Sequence, residues 1–477
     1  MGDSRKIKEL DDSKTPLTFI AWVPRVAKQV FTPGFKATDW GQEDLRNGRY
    51  MFLFYFYGII LYVFLWSRRL YGSRGFWLPV IMVLVDPLFM VYGILINSDI
   101  ISAFVMVACL YHYYRWSASH YLERFHLIAS AVFFGVALAT KQGFIFLPFA
   151  LAMISLTTLL SKRKSLHLSH CIYCLGFLVI AWFVLNAAFY FQGSGKGLHT
   201  YLFLSSKLQT LQATFSWYRL PMLIPEGWMQ GVDLLQYHAE IGPGFETNPF
   251  AGVYVNGVYS KDGVWYYYLL VSLVKFPIGI LFIATVSIVV FFKRFRRQGY
   301  LSKYQFLLAP IIVYFIVMSF LNPFQIGVRH LLIFLPLVYL GLGYLAVVRW
   351  WKYRNAFVTA ALFFSVLSVA GYYPDLIPYT NELLADKKKV HEFIYDSSID
   401  YGQADSHYKQ YIQDHPKYKF APQQPSVGKF IVPARFVMDE WDTYTAPYKW
   451  LRNYQVTGVY RGVFLLYDIE TLGQTPK

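Results

Sequence analysis

The sequence predicts a mainly α protein, a polytopic transmembrane helix bundle followed by a small α/β extracytoplasmic domain at the C-terminus. Of its 477 residues, 56% are hydrophobic and 15% are charged, whereas soluble proteins carry roughly a quarter charged residues. The hydrophobic residues form long blocks with almost no charge, and a block of about 18 or more such residues is typical of a membrane helix. These blocks lie between Tyr50 and Tyr373, and the chain beyond them is polar.

We predict about ten spans, from the length that a helix needs to cross a bilayer. Tight helical hairpins turn at Asn97-Ser98 and at Lys141-Gln142-Gly143. Prolines inside the spans are tolerated because neighbouring helices can satisfy the freed carbonyl groups. The predicted bounds are 50–66, 76–96, 99–116, 126–140, 143–161, 171–191, 264–292, 304–321, 331–348 and 355–373.

The positive charge sets the predicted orientation. Lys and Arg number 44 against 28 Asp and Glu, for a net charge of +16. Short loops rich in Lys and Arg face the cytoplasm, and here they alternate with nearly uncharged loops, so we interpret the charge as topology rather than as a nucleic-acid surface. The basic loops lie at 68–74, 115–124, 162–164, 293–303 and 349–354.

The same orientation places three polar segments outside. Residues 1–49 contain an interfacial helix at 15–30, which is too short and too charged to span. The loop 192–263 is rich in Gly, Pro and Tyr, and residues 374–477 form the small domain, with strands predicted at 429–432, 456–460 and 463–468. Because residues 1–49 contain no signal sequence, we expect that a first span is missing from the chain as given, with translocation of a short N-terminal tail as the alternative.

The three cysteines predict no disulfide framework. Cys109, Cys171 and Cys174 all lie in or beside apolar blocks. Cys171 and Cys174 form a CxxC sequence without a second pair, so we expect buried structural thiols, with a redox or metal role as the alternative.

Ionisable residues near the ends of the spans are the candidates for function, because such residues are costly at membrane depth. Three cations and one carboxylate at the outer face could hold a lipid-linked phosphate, and the carboxylate could accept a proton from an attacking hydroxyl or orient it. The alternative is helix capping by the carboxylate and snorkelling of the lysine. The candidates are Lys14, Asp99, Lys141, Arg329 and His330. Asp86 lies deeper in a span, and we expect a local turn or packing role for it.

Several short runs, in order along almost the whole chain, resemble the C-type (GT-C) membrane glycosyltransferases related to protein O-mannosyltransferases and to the enzymes that add aminoarabinose to lipid A. Each run alone is common, and their order makes the resemblance specific. The last run resembles the tail motif of the bacterial branch. The runs are Lys14-Thr15-Pro16-Leu17, Gly48-Arg49, Arg68-Arg69-Leu70-Tyr71-Gly72, Asn97-Ser98-Asp99, the seven residues ending in Thr140-Lys141, Tyr266-Tyr267-Tyr268, Val274-Lys275-Phe276-Pro277, Gly327-Val328-Arg329-His330-Leu331-Leu332 with Pro336, and the run from Asp396 to Gln403.

The resemblance implies a catalytic face outside the cytoplasmic (inner) membrane of a bacterium. The implied reaction moves a sugar from a polyprenyl-phosphate donor to an acceptor hydroxyl on a protein, lipid or glycan, and it is mannosyltransferase-like. The implied partners are the donor, the acceptor and the lipid bilayer, without nucleic acid. The implied reaction requires no cofactor, and no residues are predicted to bind a metal ion. A divalent metal ion is kept as an open alternative.

The resemblance also implies residue roles. Asp99 matches the second acidic position of the family, and Lys14 matches a basic residue that contacts the lipid phosphate. Lys141 and Arg329 match basic positions of the same cavity, with His330 beside Arg329. The tail motif, Asp396, Asp400 and Gln403, has no assigned role, and it is left open whether it does more than fold its domain.

One departure keeps other functions open. The family's principal catalytic carboxylate follows the first span, and no acidic residue here matches it. Either the protein starts upstream or the chain is inactive as written, which makes a catalytically inactive scaffold of the same fold one alternative. A transporter is another, but we find neither the charged mid-membrane helices nor the repeated halves that are typical of transporters.

Overall fold

A computed structural model describes residues 16–31, 42–119, 121–162, 168–215, 221–241, 253–260, 262–294, 300–322, 324–325, 327–348, 351–438 and 446–473. The chain divides into two compact units. The first comprises Met1–Glu240, Phe282–Val317 and Leu331–Ala360, and the second comprises Ile241–Leu281, Met318–His330 and Ala361–Lys477.

Helices dominate the described chain, as predicted. Shorter turns of 3₁₀ or π helix extend several of them, at Pro16–Trp22, Gly72–Arg74, Gln142–Phe146, Leu198–Thr200, Val317–Leu321, Val328–Ile333, Gly343–Val347, Lys387–Lys389 and Ala446–Asn453. The α-helices are α1 (Val23–Phe31), α2 (Gln42–Tyr71), α3 (Trp77–Val85), α4 (Pro87–Tyr92), α5 (Ser98–Ala118), α6 (Arg124–Thr140), α7 (Leu147–Lys162), α8 (Leu168–Ala188), α9 (Ser206–Phe215), α10 (Glu226–Ile241), α11 (Tyr267–Lys275), α12 (Ile278–Arg294), α13 (Tyr300–Ile316), α14 (Leu335–Leu342), α15 (Arg354–Ala370), α16 (Val390–Phe393), α17 (His407–Asp414) and α18 (Ala434–Met438).

Three stretches of the described chain have the length and hydropathy of a membrane-crossing helix, judged by composition alone: Glu43–Arg74, Cys171–Ala188 and Tyr304–Leu321. Other apolar helices are shorter, at Arg124–Thr140, Gln142–Thr158, Ile278–Lys293, Leu335–Val347 and Arg354–Ala370. The predicted class, a helix bundle with a small α/β portion near the C-terminus, is confirmed.

Proline divides two of the predicted spans, so their continuity was wrongly predicted. The span 76–96 breaks between α3 and α4 at Asp86-Pro87, and the span 264–292 breaks between α11 and α12 at Phe276-Pro277. A proline lacks the N–H that continues a helix, and its ring clashes with the preceding turn. Asp86 has the predicted turn role: its Oδ1 accepts the N–H of Leu88 at 2.8 Å, its carboxylate accepts the Tyr339 hydroxyl, and it is fully buried.

Within the first unit, α5 is central. It packs against both α2 and α6, α6 packs in turn on α8, and α7 packs on α13. The α6–α8 contact is close: a Cβ at Gly135 would lie 2.6 Å from the carbonyl oxygen of Ala181. Because α5 and α6 are joined by the short connection 119–123, the start of α5 and the end of α6 lie at the same end of the pair.

The interfacial segment and the cysteines test two smaller predictions. A 3₁₀ helix at Pro16–Trp22 and α1 form the helical segment expected at 15–30. Cys109 is buried, as predicted, but Cys171 and Cys174 are exposed. The prediction of buried thiols was wrong for these two, because an apolar helix face in a membrane bundle need not face the protein interior.

The second unit contains the described strands. β1 (Val253–Val255) and β2 (Val258–Ser260) form an antiparallel hairpin. β3 (Tyr418–Phe420), β4 (Gly428–Pro433), β5 (Gly458–Tyr460) and β6 (Phe464–Ile469) form a sheet in the order β3-β4-β6-β5, with β3 parallel to β4 and the other pairs antiparallel. The three predicted strands correspond to β4, β5 and β6, whereas β3 was not predicted.

Alternate residues of this sheet bury two separate cores. Phe430 and Tyr467 are paired across β4 and β6 and face one core. Ile431, the next residue along β4, faces the other core with Phe464. This alternation is what the period of two in a strand predicts.

Candidate active site

Asp99 lies in the first turn of α5, and the chain fixes it locally. Asn97 caps this helix, because its Oδ1 accepts the N–H groups of Asp99 at 2.9 Å and of Ile100 at 3.2 Å. The carboxylate of Asp99 is therefore not the cap, in contrast to the alternative raised from the sequence. A negative charge here is favoured by the helix dipole.

Lys141 is the residue after the last turn of α6. Its backbone is extended, with φ of −148° and ψ of 133°, and its N–H donates to the carbonyl oxygen of Ala137 at 3.1 Å. Its Nζ donates to Asp99 Oδ1 in an ion pair. The structure thus joins two of the predicted site residues.

The two partners differ in exposure. The Asp99 side chain is 6% exposed and the Lys141 side chain is 31% exposed. Tyr314 of α13 lies close enough to Asp99 for electrostatic interaction and packs its ring on Phe146 and Phe334, at centroid distances of 4.8 and 5.3 Å. The Asp99 carboxylate is thus shielded, while the Lys141 side chain is partly exposed.

Arg329 and His330 belong to the second unit, in the first turn of the 3₁₀ helix Val328–Ile333. Arg329 Nη1 donates to the hydroxyl of Tyr401 at 2.9 Å, and its guanidinium lies 5.1 Å from the centroid of that ring. His330 Nδ1 lies 3.1 Å from the hydroxyl of Tyr268, a residue of α11. Both side chains are half-buried.

The tail motif forms a closed loop in the same unit. Asp396 Oδ1 accepts the N–H of Ser398 at 2.6 Å, and Asp400 Oδ1 accepts the N–H of Gly402 at 2.9 Å. Gln403 accepts the N–H of Tyr401 through Oε1 at 2.7 Å. Burial raises the pKa of the Asp400 carboxyl above its usual value, and the N–H of Gly402 opposes that shift.

The second unit also contains a functional candidate without a predicted role. Lys275 is 1% exposed, and its Nζ donates to the carbonyl oxygens of Ser398 at 2.7 Å and Ile377 at 2.8 Å. Tyr267, also in α11, donates its hydroxyl to Asp396. A single lysine inside an apolar block was the sequence signal that could have identified this site.

The remaining predicted residue, Lys14, lies outside the described residues. The structure brings Asp99 and Lys141 together in the first unit, and Arg329 and the tail motif together in the second, where His330 contacts Tyr268. The described part of the chain contains no group of three or more His, Cys, Asp or Glu arranged to hold a metal ion.

Comparison with solved structures gives matches at low identity. Two are oligosaccharyltransferases of Archaeoglobus fulgidus. One is AglB in complex with an inhibitory peptide and a dolichol-phosphate, at 15% identity over 84% of this chain and 51% of that chain, with a TM-score of 0.46. The other is an apo form, at 16% identity over 74% of this chain and 47% of that chain, with a TM-score of 0.45. A third is ArnT from Cupriavidus metallidurans bound to undecaprenyl phosphate, at 14% identity over 95% of this chain and 87% of that chain, with a TM-score of 0.29. The chain spans about half the length of the archaeal structures.

A sequence search of curated proteins finds no match. Residues 49–189 match the family described as dolichyl-phosphate-mannose-protein mannosyltransferase. This stretch contains both Asp99 and Lys141. The family match confirms the predicted resemblance over this stretch.

Proposed function

We propose that the chain transfers a sugar from a polyprenyl-phosphate donor to an acceptor hydroxyl at the outer face of the membrane. The observation that carries this proposal is the shielded Asp99–Lys141 ion pair, inside the segment that matches the mannosyltransferase family. Mannose is the first candidate sugar, because the family's description names it. The proposed location is the inner membrane of a bacterium, with the loop 192–263 and the tail outside.

Lys141 is proposed to bind the donor phosphate. An ammonium has three N–H donors, and Asp99 accepts one of them. The Lys141 side chain is 31% exposed, and we propose that its remaining N–H donors meet a phosphate oxygen. A charge-assisted hydrogen bond of this kind contributes roughly 1.5–3 kcal/mol.

Asp99 is proposed to hold Lys141 and to orient the acceptor. In the reaction, the acceptor oxygen forms a bond to the anomeric carbon while the bond from that carbon to the phosphate oxygen breaks. The electron pair leaves with the polyprenyl phosphate, and the hydroxyl proton passes to the Asp99 carboxylate. Cations at the phosphate stabilise the charge that develops there.

Arg329 and His330 are proposed as further phosphate ligands, on the motif that they share with the family. Arginine presents a planar set of donors that fits two phosphate oxygens at once. We propose the same phosphate-binding role for Lys14, because of its position before Pro16-Leu17. Each of these residues is substituted singly, because the proposed role of one does not depend on the roles of the others.

The test is sugar transfer by the purified full chain in lipid nanodiscs, with radiolabelled polyprenyl-phosphate mannose and peptide, lipid or glycan acceptors. We expect Asp99→Asn to lower kcat about 100-fold or more, and Lys141→Met to raise the donor KM about 10- to 150-fold.

The matched control is another lysine–carboxylate pair, Lys196 with Glu226, which is more exposed, at 48% and 29%. Lys196→Met and Glu226→Gln should transfer sugar at the wild-type rate. Full activity of Asp99→Asn would remove Asp99 from the site. Absence of transfer by the wild-type chain with every polyprenyl-phosphate sugar and acceptor class tried would overturn the enzymatic proposal.

A further inference from the structure

We infer that the tail motif Asp396–Gln403 and Lys275 position the turn Gly327–His330, and through it the guanidinium of Arg329. The inference rests on the proposed function of Arg329 as a ligand of the donor phosphate. It gives a role to two sequence motifs that the chemistry itself does not use. All of the contacts lie within the second unit.

The first link joins the two backbones. The N–H of Val328, the residue before Arg329, donates to the hydroxyl of Ser398 at 2.8 Å, and both residues are buried. Gly327 has φ of +124°, and a Cβ there would lie 2.6 Å from the hydroxyl oxygen of Ser397. A side chain at this position would therefore push the turn away from the tail motif.

The second link fixes Ser398 itself. Its N–H is held by Asp396 at 2.6 Å, and its carbonyl oxygen by Lys275 at 2.7 Å. Asp396 also accepts the hydroxyl of Tyr267. Burying an ammonium group is costly unless hydrogen bonds replace its lost hydration. Lys275 is 1% exposed, so its hydrogen bond to the carbonyl oxygen of Ser398 is needed to keep it there.

The third link reaches the side chain of Arg329. The hydroxyl of Tyr401 accepts from Nη1 at 2.9 Å, and its ring lies 5.1 Å from the guanidinium carbon. Gln403 in turn holds the backbone of Tyr401 at 2.7 Å. The motif therefore constrains Arg329 at its backbone and at its charged end, which sets the plane in which a phosphate can be bound by two parallel hydrogen bonds.

The inference predicts coupling between Tyr401 and Arg329. Tyr401→Phe keeps the ring but removes the hydroxyl, and we expect the KM for polyprenyl-phosphate mannose to rise about 5- to 10-fold with kcat unchanged. In an Arg329→Gln background the same change should move KM less than about 2-fold. Tyr408→Phe is the control, because Tyr408 packs its ring on Phe420 in the same domain, 4.1 Å between centroids.

Equal effects of Tyr401→Phe in both backgrounds would overturn the role through Arg329. So would a fall in kcat at unchanged KM. If Arg329→Gln alone leaves the donor KM at the wild-type value, the proposed function of Arg329 fails, and the positioning is then decided by hydrogen exchange.

Hydrogen exchange measures the positioning without any reaction. Ser398→Ala should accelerate exchange of the Val328 amide by 10-fold or more, because its acceptor is lost, and Ser398→Thr should restore protection. The control is Ser426→Ala, because the hydroxyl of Ser426 donates to the carbonyl oxygen of Gln424, two residues earlier, at 3.2 Å. Unchanged exchange at Val328 in Ser398→Ala, in protein that elutes as the wild type does, would overturn the positioning role.

Discussion

Lys141→Met should destabilise the protein more than the loss of an exposed ion pair does. The variant leaves the Asp99 carboxylate, 6% exposed, without this cation. Removing one partner of a fully buried pair costs about 3–5 kcal/mol, and a fully exposed pair is worth about 0–1 kcal/mol. Because the Lys141 side chain is 31% exposed, solvent screens part of the loss, and we expect about 2 kcal/mol.

The measurement is the free energy of unfolding by SDS titration in mixed micelles, for Lys141→Met, Asp99→Asn and the double variant. The double variant has neither charge, so it should be more stable than Lys141→Met, with a coupling free energy of about 2 kcal/mol. Lys196→Met serves as the exposed control and should cost less than about 1 kcal/mol. Additive effects of the two substitutions would refute the reasoning, because they would mean that the pair is screened as a surface pair is.

Three further predictions concern stability. Gly279→Ala should lower the free energy of unfolding by about 1–3 kcal/mol or more, because its Cβ would lie 1.9 Å from a carbonyl oxygen of α15. Gly176→Ala is the control and should be neutral, because a Cβ there would meet nothing within 4 Å. Equal unfolding midpoints for the two variants would contradict this. Tyr339→Phe should cost about 1–3 kcal/mol in SDS unfolding, because it removes a hydrogen bond to buried Asp86, and an unchanged midpoint would argue that the bond is not formed. Burial lowers the pKa of His391 to about 4, so on acidification the unfolded state takes up a proton before the folded state does. The free energy of unfolding should therefore fall by about 3 kcal/mol as the pH drops from about 6.5 to 4. His391→Gln should flatten that profile, and an equally steep profile in the variant would exclude His391 as its source.

Composition and block length were sufficient to predict the helices, because a run of apolar residues long enough to cross a bilayer has few other stable conformations. The break at Pro87 was visible in the sequence, but whether a proline kinks or divides a helix depends on its neighbours. Here Asp86 and Tyr339, far apart in the chain, stabilise the broken form. Strand β3 is three residues long and has too few positions to show an alternating pattern.

The candidate site was predictable only in part. Asp99 and Lys141 were singled out because charges at the ends of apolar blocks are uncommon, yet their pairing depends on how α5 packs against α6. The contacts of Lys275 with the tail motif join positions more than 100 residues apart. No spacing rule relates such positions, because they are brought together by the fold and not by a helix or strand period.

The contact between Gly327–His330 and Asp396–Gln403 has a consequence for biosynthesis. The arginine-bearing turn leaves the ribosome well before the segment that holds it, so the turn cannot take its final form until the chain has been made as far as Gln403. A chain that stops between these two segments keeps Arg329 but loses the hydroxyl of Ser398 and the ring of Tyr401. Chains released between these two segments would therefore contain the turn without the contacts that fix it, because its assembly depends on a residue made 70 positions later.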